Sequence, residues 1–187
     1  MTRQNGPYFD ENYLRQGSPT NSTFTESFPR YQCGTDNAIA ATGVCHATAV
    51  PLQAGDVVTN ITFVTGGTAA VAPTAGFVAL YSPAGALIAQ SADFGSTARA
   101  ANTAYTVALA TAQLITTPGL HYVVISFTAG TVPTLRGIST GNAAVAGAIG
   151  LSAPVLAQTH GSAVGATAPA TIATPTTVAT PVYYALT

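Results

Sequence analysis

FVALYSPAGALIAQSAD, residues 77–93, is the stretch on which the fold turns. Two apolar runs, FVALY and ALIAQSA, flank Ser82-Pro83-Ala84-Gly85. Proline at the second turn position presets φ, and glycine supplies freedom at the end of the turn, so the stretch reads as a β-hairpin.

The same texture extends in both directions. Upstream, ATAVPL (47–52) leads through the QAGD turn into VVTNITFV (57–64), where Val57, Thr59, Ile61 and Phe63 alternate onto one face, so this stretch too reads as a hairpin. Downstream, AYTVALA (104–110) places Tyr105, Val107 and Leu109 on one face. LHYVVISF (120–127) follows Pro118-Gly119 and is the most apolar run, suited to the centre of a sheet. Weaker strands are expected around residues 134–138, 148–151, 155–159 and 182–186. Glycine, proline and β-branched residues break up every Ala-rich segment, which disfavours helix. Short, regularly spaced strands predict an all-β protein, an antiparallel β-sandwich of jelly-roll type, over residues 47–187. Residues 139–181 thin into Ala, Gly, Thr, Ser and Pro, and are expected to cross that domain as loops or an edge strand.

Residues 1–31 differ from the rest. They hold six of the eleven charged residues and six of the fifteen aromatics, with no sustained periodicity. Tyr8, Phe9, Tyr13, Phe24, Phe28 and Tyr31 are interspersed with glycine and proline. This reads as an extended arm, residues 1–46, whose rings anchor it to a partner surface; wrapping around its own domain is the alternative. The arm also carries Cys33. With Cys45 it brackets an eleven-residue stretch that a disulfide would close into a small loop. A disulfide or close pair is expected, with two free thiols as the alternative.

Charged residues make up 6% of the 187-residue chain and the net charge is −1, against a usual charged fraction of about 25%. That composition argues against nucleic acid and anionic membrane as partners. No apolar run approaches the length of a membrane span, and the first residues lack the apolar core of a signal peptide, so a soluble protein made in the cytoplasm is expected. A surface so poor in charge points to coverage by other subunits. The absence of lysine, with abundant Ala, Thr, Gly and Val, suggests a GC-rich source.

Chemistry is sparse. Asp36, Asp56 and Asp93 are the only acids after residue 30, and Asp56 and Asp93 occupy turn or strand-end positions where Asp caps backbone groups. His46, His121 and His160 are separated in sequence, and no nucleophile-elbow, zincin, P-loop or dinucleotide pattern occurs. No catalytic residue, cofactor or metal site is predicted. Tyr81, Tyr105 and Tyr122 are the candidates for a glycan platform, with packing into the sheets as the alternative.

Taken in order, ESFPR (26–30), LQAGDVVTNITF (52–63), ALYSPAGALIAQSAD (79–93), ANTAYTVALA (101–110) and TTPGLHYVVISFTAGTVPTLRG (116–137) resemble small β-sandwich virion proteins of tailed phages of actinobacteria. The resemblance spans about residues 26–138 and rests on the order of the motifs. It implies a non-enzymatic head-decoration or minor tail protein on the virion surface, synthesised in the host cytoplasm. The expected partners are capsid or tail subunits and further copies of the chain, as a homo-oligomer such as a trimer. A receptor-binding module of a tail fibre that contacts host glycans is the alternative. The cysteine-bearing insert, residues 33–45, departs from the family pattern.

Overall fold

The computed structural model describes residues 25–39, 41–139 and 155–187. Twelve strands are present there: β1 (Thr25–Glu26), β2 (Thr35–Ala38), β3 (Cys45–Leu52), β4 (Val57–Val64), β5 (Val71–Tyr81), β6 (Leu87–Gln90), β7 (Ala104–Leu114), β8 (Gly119–Thr131), β9 (Thr134–Gly137), β10 (Ala157–His160), β11 (Thr176–Thr177) and β12 (Tyr184–Leu186). The one helical element among the described residues is a 3-10 turn, Arg30–Gln32.

Every strand pairing is antiparallel. One sheet has the order β1-β12-β4-β7, and the other has the order β11-β10-β3-β8-β5-β6. The eight strands β1, β3 to β8 and β12 are divided between the sheets in the order of a jelly roll, two interlocked Greek keys. The sixth strand added at one side, β11, and its neighbour β10 extend the larger sheet beyond that set. β2 and β9 form a separate ribbon. β8 lies between β3 and β5, at the centre, as its apolar run predicts.

The hairpin at residues 77–93 forms β5 and β6. Gly85 adopts φ +78°, its N–H donates to the Ser82 carbonyl at 2.9 Å, and the Ala86 N–H donates to Ser82 Oγ at 3.1 Å. The alternation expected for VVTNITFV holds only in its second half. Between Val58 and Asn60 the register with β7 shifts from Val58↔Gln113 to Asn60↔Ala108, so β7 bows outward over residues 109–112. On β4 the Thr59 and Asn60 N–H groups both donate to the Thr187 carbonyl, at 2.6 and 2.7 Å, and this bulge turns Val58 inward, fully buried, and leaves Val57 42% exposed.

The main core fills the space between the sheets with Val50, Leu52, Ile61, Phe63, Val78, Leu80, Val123, Ile125, Phe127 and the inward residues of β12. Two smaller clusters lie on the outer faces. On the larger sheet, Phe77, Ala79, Tyr81 and Val124 are covered by Val164, Ala168 and Ile172 of the Ala- and Gly-rich C-terminal segment. On the smaller sheet, Tyr183 and Ala185 are covered by Phe28. Large side chains are rare in the covering segment, so it is held by backbone bonds as well: Tyr81 Oη donates to the Pro169 carbonyl at 2.7 Å, and Gln90 accepts from the Ala168 N–H at 2.7 Å.

Two expectations are corrected: the hairpin read at residues 47–64 is a corner between the sheets, since β3 and β4 pair in different ones, and the arm read at residues 1–46 is shorter. Residues 25–39 and 41–46 belong to the folded β domain, because β1 pairs with β12 in the smaller sheet, β2 pairs with β9 in the ribbon and β3 opens at Cys45. Residues 1–24 lie outside the described residues. β1 and β2 escape a sequence reading because they are two and four residues long and need distant partners to satisfy their backbone groups. The strand expected at 148–151 lies outside the described residues.

Phe63 stacks against Phe94, Tyr105 and Phe127 with ring centroids 5.7–6.1 Å apart, from both sheets. Replacing Phe63→Ala is expected to lower unfolding free energy by about 3–5 kcal/mol. Urea titration checks this, and a loss under about 1 kcal/mol would remove Phe63 from the centre of the core.

Candidate functional site

Each described charged side chain is committed within the chain. Glu26, buried, accepts from Arg30 Nε at 2.6 Å and from the Tyr183 hydroxyl at 2.6 Å. Asp36 pairs with Arg136 at 2.6 Å and accepts from the Gly67 N–H. Asp56 accepts from the Gln53 N–H at 2.8 Å, and Asp93 accepts from the Gly76 and Gly95 N–H groups at 2.9 and 2.8 Å. Gly95 is required there, since a Cβ would sit 2.0 Å from the Ala75 Cα. The Arg99 guanidinium lies 4.8 Å from the Phe94 ring and 4.6 Å from the Tyr105 ring. The acids thus act as local caps and ion-pair partners.

The histidines are likewise built into the sheets. His46 Nε2 donates to the Thr180 carbonyl at 2.9 Å, which leaves Nδ1 as the bare ring nitrogen, buried and without a partner. His121 Nδ1 donates to the Gly119 carbonyl at 3.2 Å, and His160 packs edge-on against Tyr81, with ring centroids 5.9 Å apart. Burial holds all three below the usual imidazole range. Among the described residues, no three His, Cys, Asp or Glu side chains converge as metal ligands would.

The cysteines are both free, which corrects the expected Cys33–Cys45 disulfide. Cys33 packs beside the Phe28 cluster on the smaller sheet, whereas Cys45 belongs to the cluster on the outer face of the larger sheet. The hydrophobic layers separate what the sequence brackets. Burial pushes the Cys33 thiol up to about 11 and Cys45 up to about 12.

The candidate partner-binding aromatics divide. Tyr8, Phe9, Tyr13 and Phe24 lie outside the described residues. Phe28 is buried against its own chain, 5.8 Å from the Tyr183 ring, so it is spent within the monomer; Tyr31 is 71% exposed. The three candidate glycan tyrosines do not form a platform. Tyr81 is fully buried, Tyr105 lies under Arg99, and the Tyr122 hydroxyl donates to the Val155 carbonyl at 3.2 Å.

One end of the sandwich carries a feature that no motif announces. The β5–β6 turn and the β7–β8 loop border a cleft of about 420 Å³ lined by Pro83, Ile88, Leu114, Ile115 and His121, with Ser82, Ala84, Thr116 and Thr117 at its edges. Leu114 is 62% exposed beside it. Residues from β6, β7 and β8 meet here only through tertiary structure; an apolar residue at the end of a strand is the sole trace in the sequence.

The chain matches no known protein family and no curated protein.

Two expectations follow from these environments. In the native protein at neutral pH both thiols should resist alkylation and react only on unfolding, as a timed maleimide assay would read; rapid labelling of Cys45 would contradict its burial. Because the folded-state histidine pKa values lie below the unfolded value of about 6.5, the unfolded chain takes up protons first on acidification. Stability should be full above about pH 6.5 and fall as pH drops below it. Thermal melts across that window test the slope, which His46→Gln should flatten.

Proposed function

We propose that this chain is a non-enzymatic virion structural protein, a decoration or minor component on the surface of a phage capsid or tail. Copies associate with one another, and residues ahead of β1 anchor them to the subunits beneath. The observation that carries this reading is the disposition of charge. The seven described charged side chains are all engaged internally, and outward positions of β7 such as Ala104, Thr106 and Ala108 present a small-residue, uncharged face.

A domain that works alone in water ordinarily shows a surface that is roughly a quarter to a third charged. A face of Ala and Thr loses little hydration when a like face covers it, because no ion has to be stripped of water. Such a surface suits a lattice of repeated copies. The resemblance of the ordered motifs to virion proteins supports the same reading.

The four rings ahead of β1, Tyr8, Phe9, Tyr13 and Phe24, supply the contacts of the assembly, shared between the subunits beneath and neighbouring copies. At roughly 1.5–3 kcal/mol for each ring buried, the four contribute about 6–12 kcal/mol before ordering costs. Several arms acting together in one oligomer raise the avidity further.

The test is a deletion that stops short of β1. A chain lacking residues 1–24 keeps Thr25–Glu26 and Phe28, so it should fold with a cooperative melt yet be missing from purified particles. Undiminished incorporation would reject the anchoring role. Deletion through residue 31 would instead remove β1 and uncover Tyr183, and is expected to lower the melting temperature.

A further inference from the structure

We propose that the apolar cleft at the β5–β6 turn receives the Tyr8-Phe9 segment of a neighbouring copy, so that copies link arm to cleft. The inference deepens the self-association part of the proposed function and rests on it.

The geometry begins with where the chain enters the sandwich. Thr25 pairs with Leu186, and its Oγ1 lies 3.5 Å from the Pro51 carbonyl. Pro51 is opposite Leu120, and Leu52 is opposite Gly119. Gly119 in turn approaches Pro83, a cleft residue: a Cβ placed on it would lie 3.2 Å from Pro83 Cγ. Residues 1–24 therefore join the domain at the same end at which the cleft opens.

They join it at the opposite side. β1 is an outer strand of its sheet and contacts β3, whereas the cleft is bounded by β6 and β7 at the other margin. Three strand spacings separate the two margins, about 14 Å. The β3–β4 turn stands between them, since the Gly55 N–H donates to the Ile115 carbonyl at 2.9 Å. A segment on the β1 side meets the cleft of the copy beside it without crossing that turn. From Thr25 back to Phe9 the chain spans up to about 50 Å when extended, ample for the step between adjacent copies.

The chemistry matches. The cleft walls are aliphatic, from Pro83, Ile88, Leu114 and Ile115, with the His121 ring at one side. Its volume lies within the ~300–1,000 Å³ of pockets that hold drug-sized molecules, so an aromatic pair fits. Tyr8-Phe9 follows Gly6-Pro7 and supplies two adjacent rings. An arm-to-cleft contact joins unlike surfaces, so repeating it closes a ring when the rotation permits.

The experiment uses the full chain with p-benzoyl-phenylalanine in place of Phe9. Isotopically light and heavy preparations are mixed, irradiated and mapped by mass spectrometry. The expected result is a light-to-heavy crosslink to Ile88, Leu114 or a neighbouring cleft residue. Ala84→Trp, at an exposed turn position on the cleft rim, should reduce that crosslink about tenfold, equivalent to about 1.4 kcal/mol, while the melting temperature stays unchanged. Crosslinks confined to single chains, crosslinks to other surfaces, no crosslink, or a yield indifferent to Ala84→Trp would each overturn the proposal. Particle incorporation is scored separately. A crosslinked oligomer that fails to join particles sinks the virion reading alone, and incorporation without the crosslink sinks the arm-to-cleft contact alone.

Discussion

Phe63 is the point through which the two sheets are joined. It lies on β4 of the smaller sheet and touches Tyr105 on β7, Phe127 on β8 of the larger sheet, and Phe94 in the loop between β6 and β7. Non-directional burial alone would permit the sheets to slide, but four interlocked rings fix one relative placement. Around that placement the register of the surrounding strands becomes consistent. Val58, Ile61 and Phe63 all face inward because β4 itself bulges at Thr59 and Asn60, whose N–H groups both donate to the Thr187 carbonyl.

The constraint that follows is the scarcity of large apolar and charged residues elsewhere. With so few of either, the chain covers the outer faces of its sheets with its own poorer segments. The C-terminal segment lies over Phe77 and Tyr81, and the residues after β1 lie over Tyr183. The same economy applies to charge. Glu26 is buried beside Tyr183 and Arg30, and Arg99 is held between two rings, so neither is left to hydrate the surface. Much of what remains outward is Thr, Ala, Ser and Gly, a surface suited to close repetition, and this links the internal packing to the proposed role in an assembly.

Pairing across the whole length of the chain completes the sandwich. β12, near the C-terminus, lies between β1 and β4, and the Ser27 hydroxyl accepts from the Tyr184 N–H at 3.0 Å. Such long-range closure places Thr25 and the cleft at one end of the molecule on opposite margins. That juxtaposition arises from topology alone, and the arm-to-cleft contact depends on it.

The β5–β6 hairpin, the central position of β8 and the antiparallel sandwich were legible in the sequence, because turn chemistry and alternation act over a few residues. Ser82-Pro83-Ala84-Gly85 specifies its turn without help from distant contacts. The bulge at Thr59 and Asn60, the separation of Cys33 from Cys45 and the burial of Phe28 were not legible. Each depends on which sheet face a residue meets, and a slip of one position reverses that face. The cleft belongs to the same group, since Pro83, Leu114 and His121 come together only when three strands end at one level. Local backbone preference thus determined the elements and their class, whereas packing between sheets decided which side chains are spent inside and which are left for a partner.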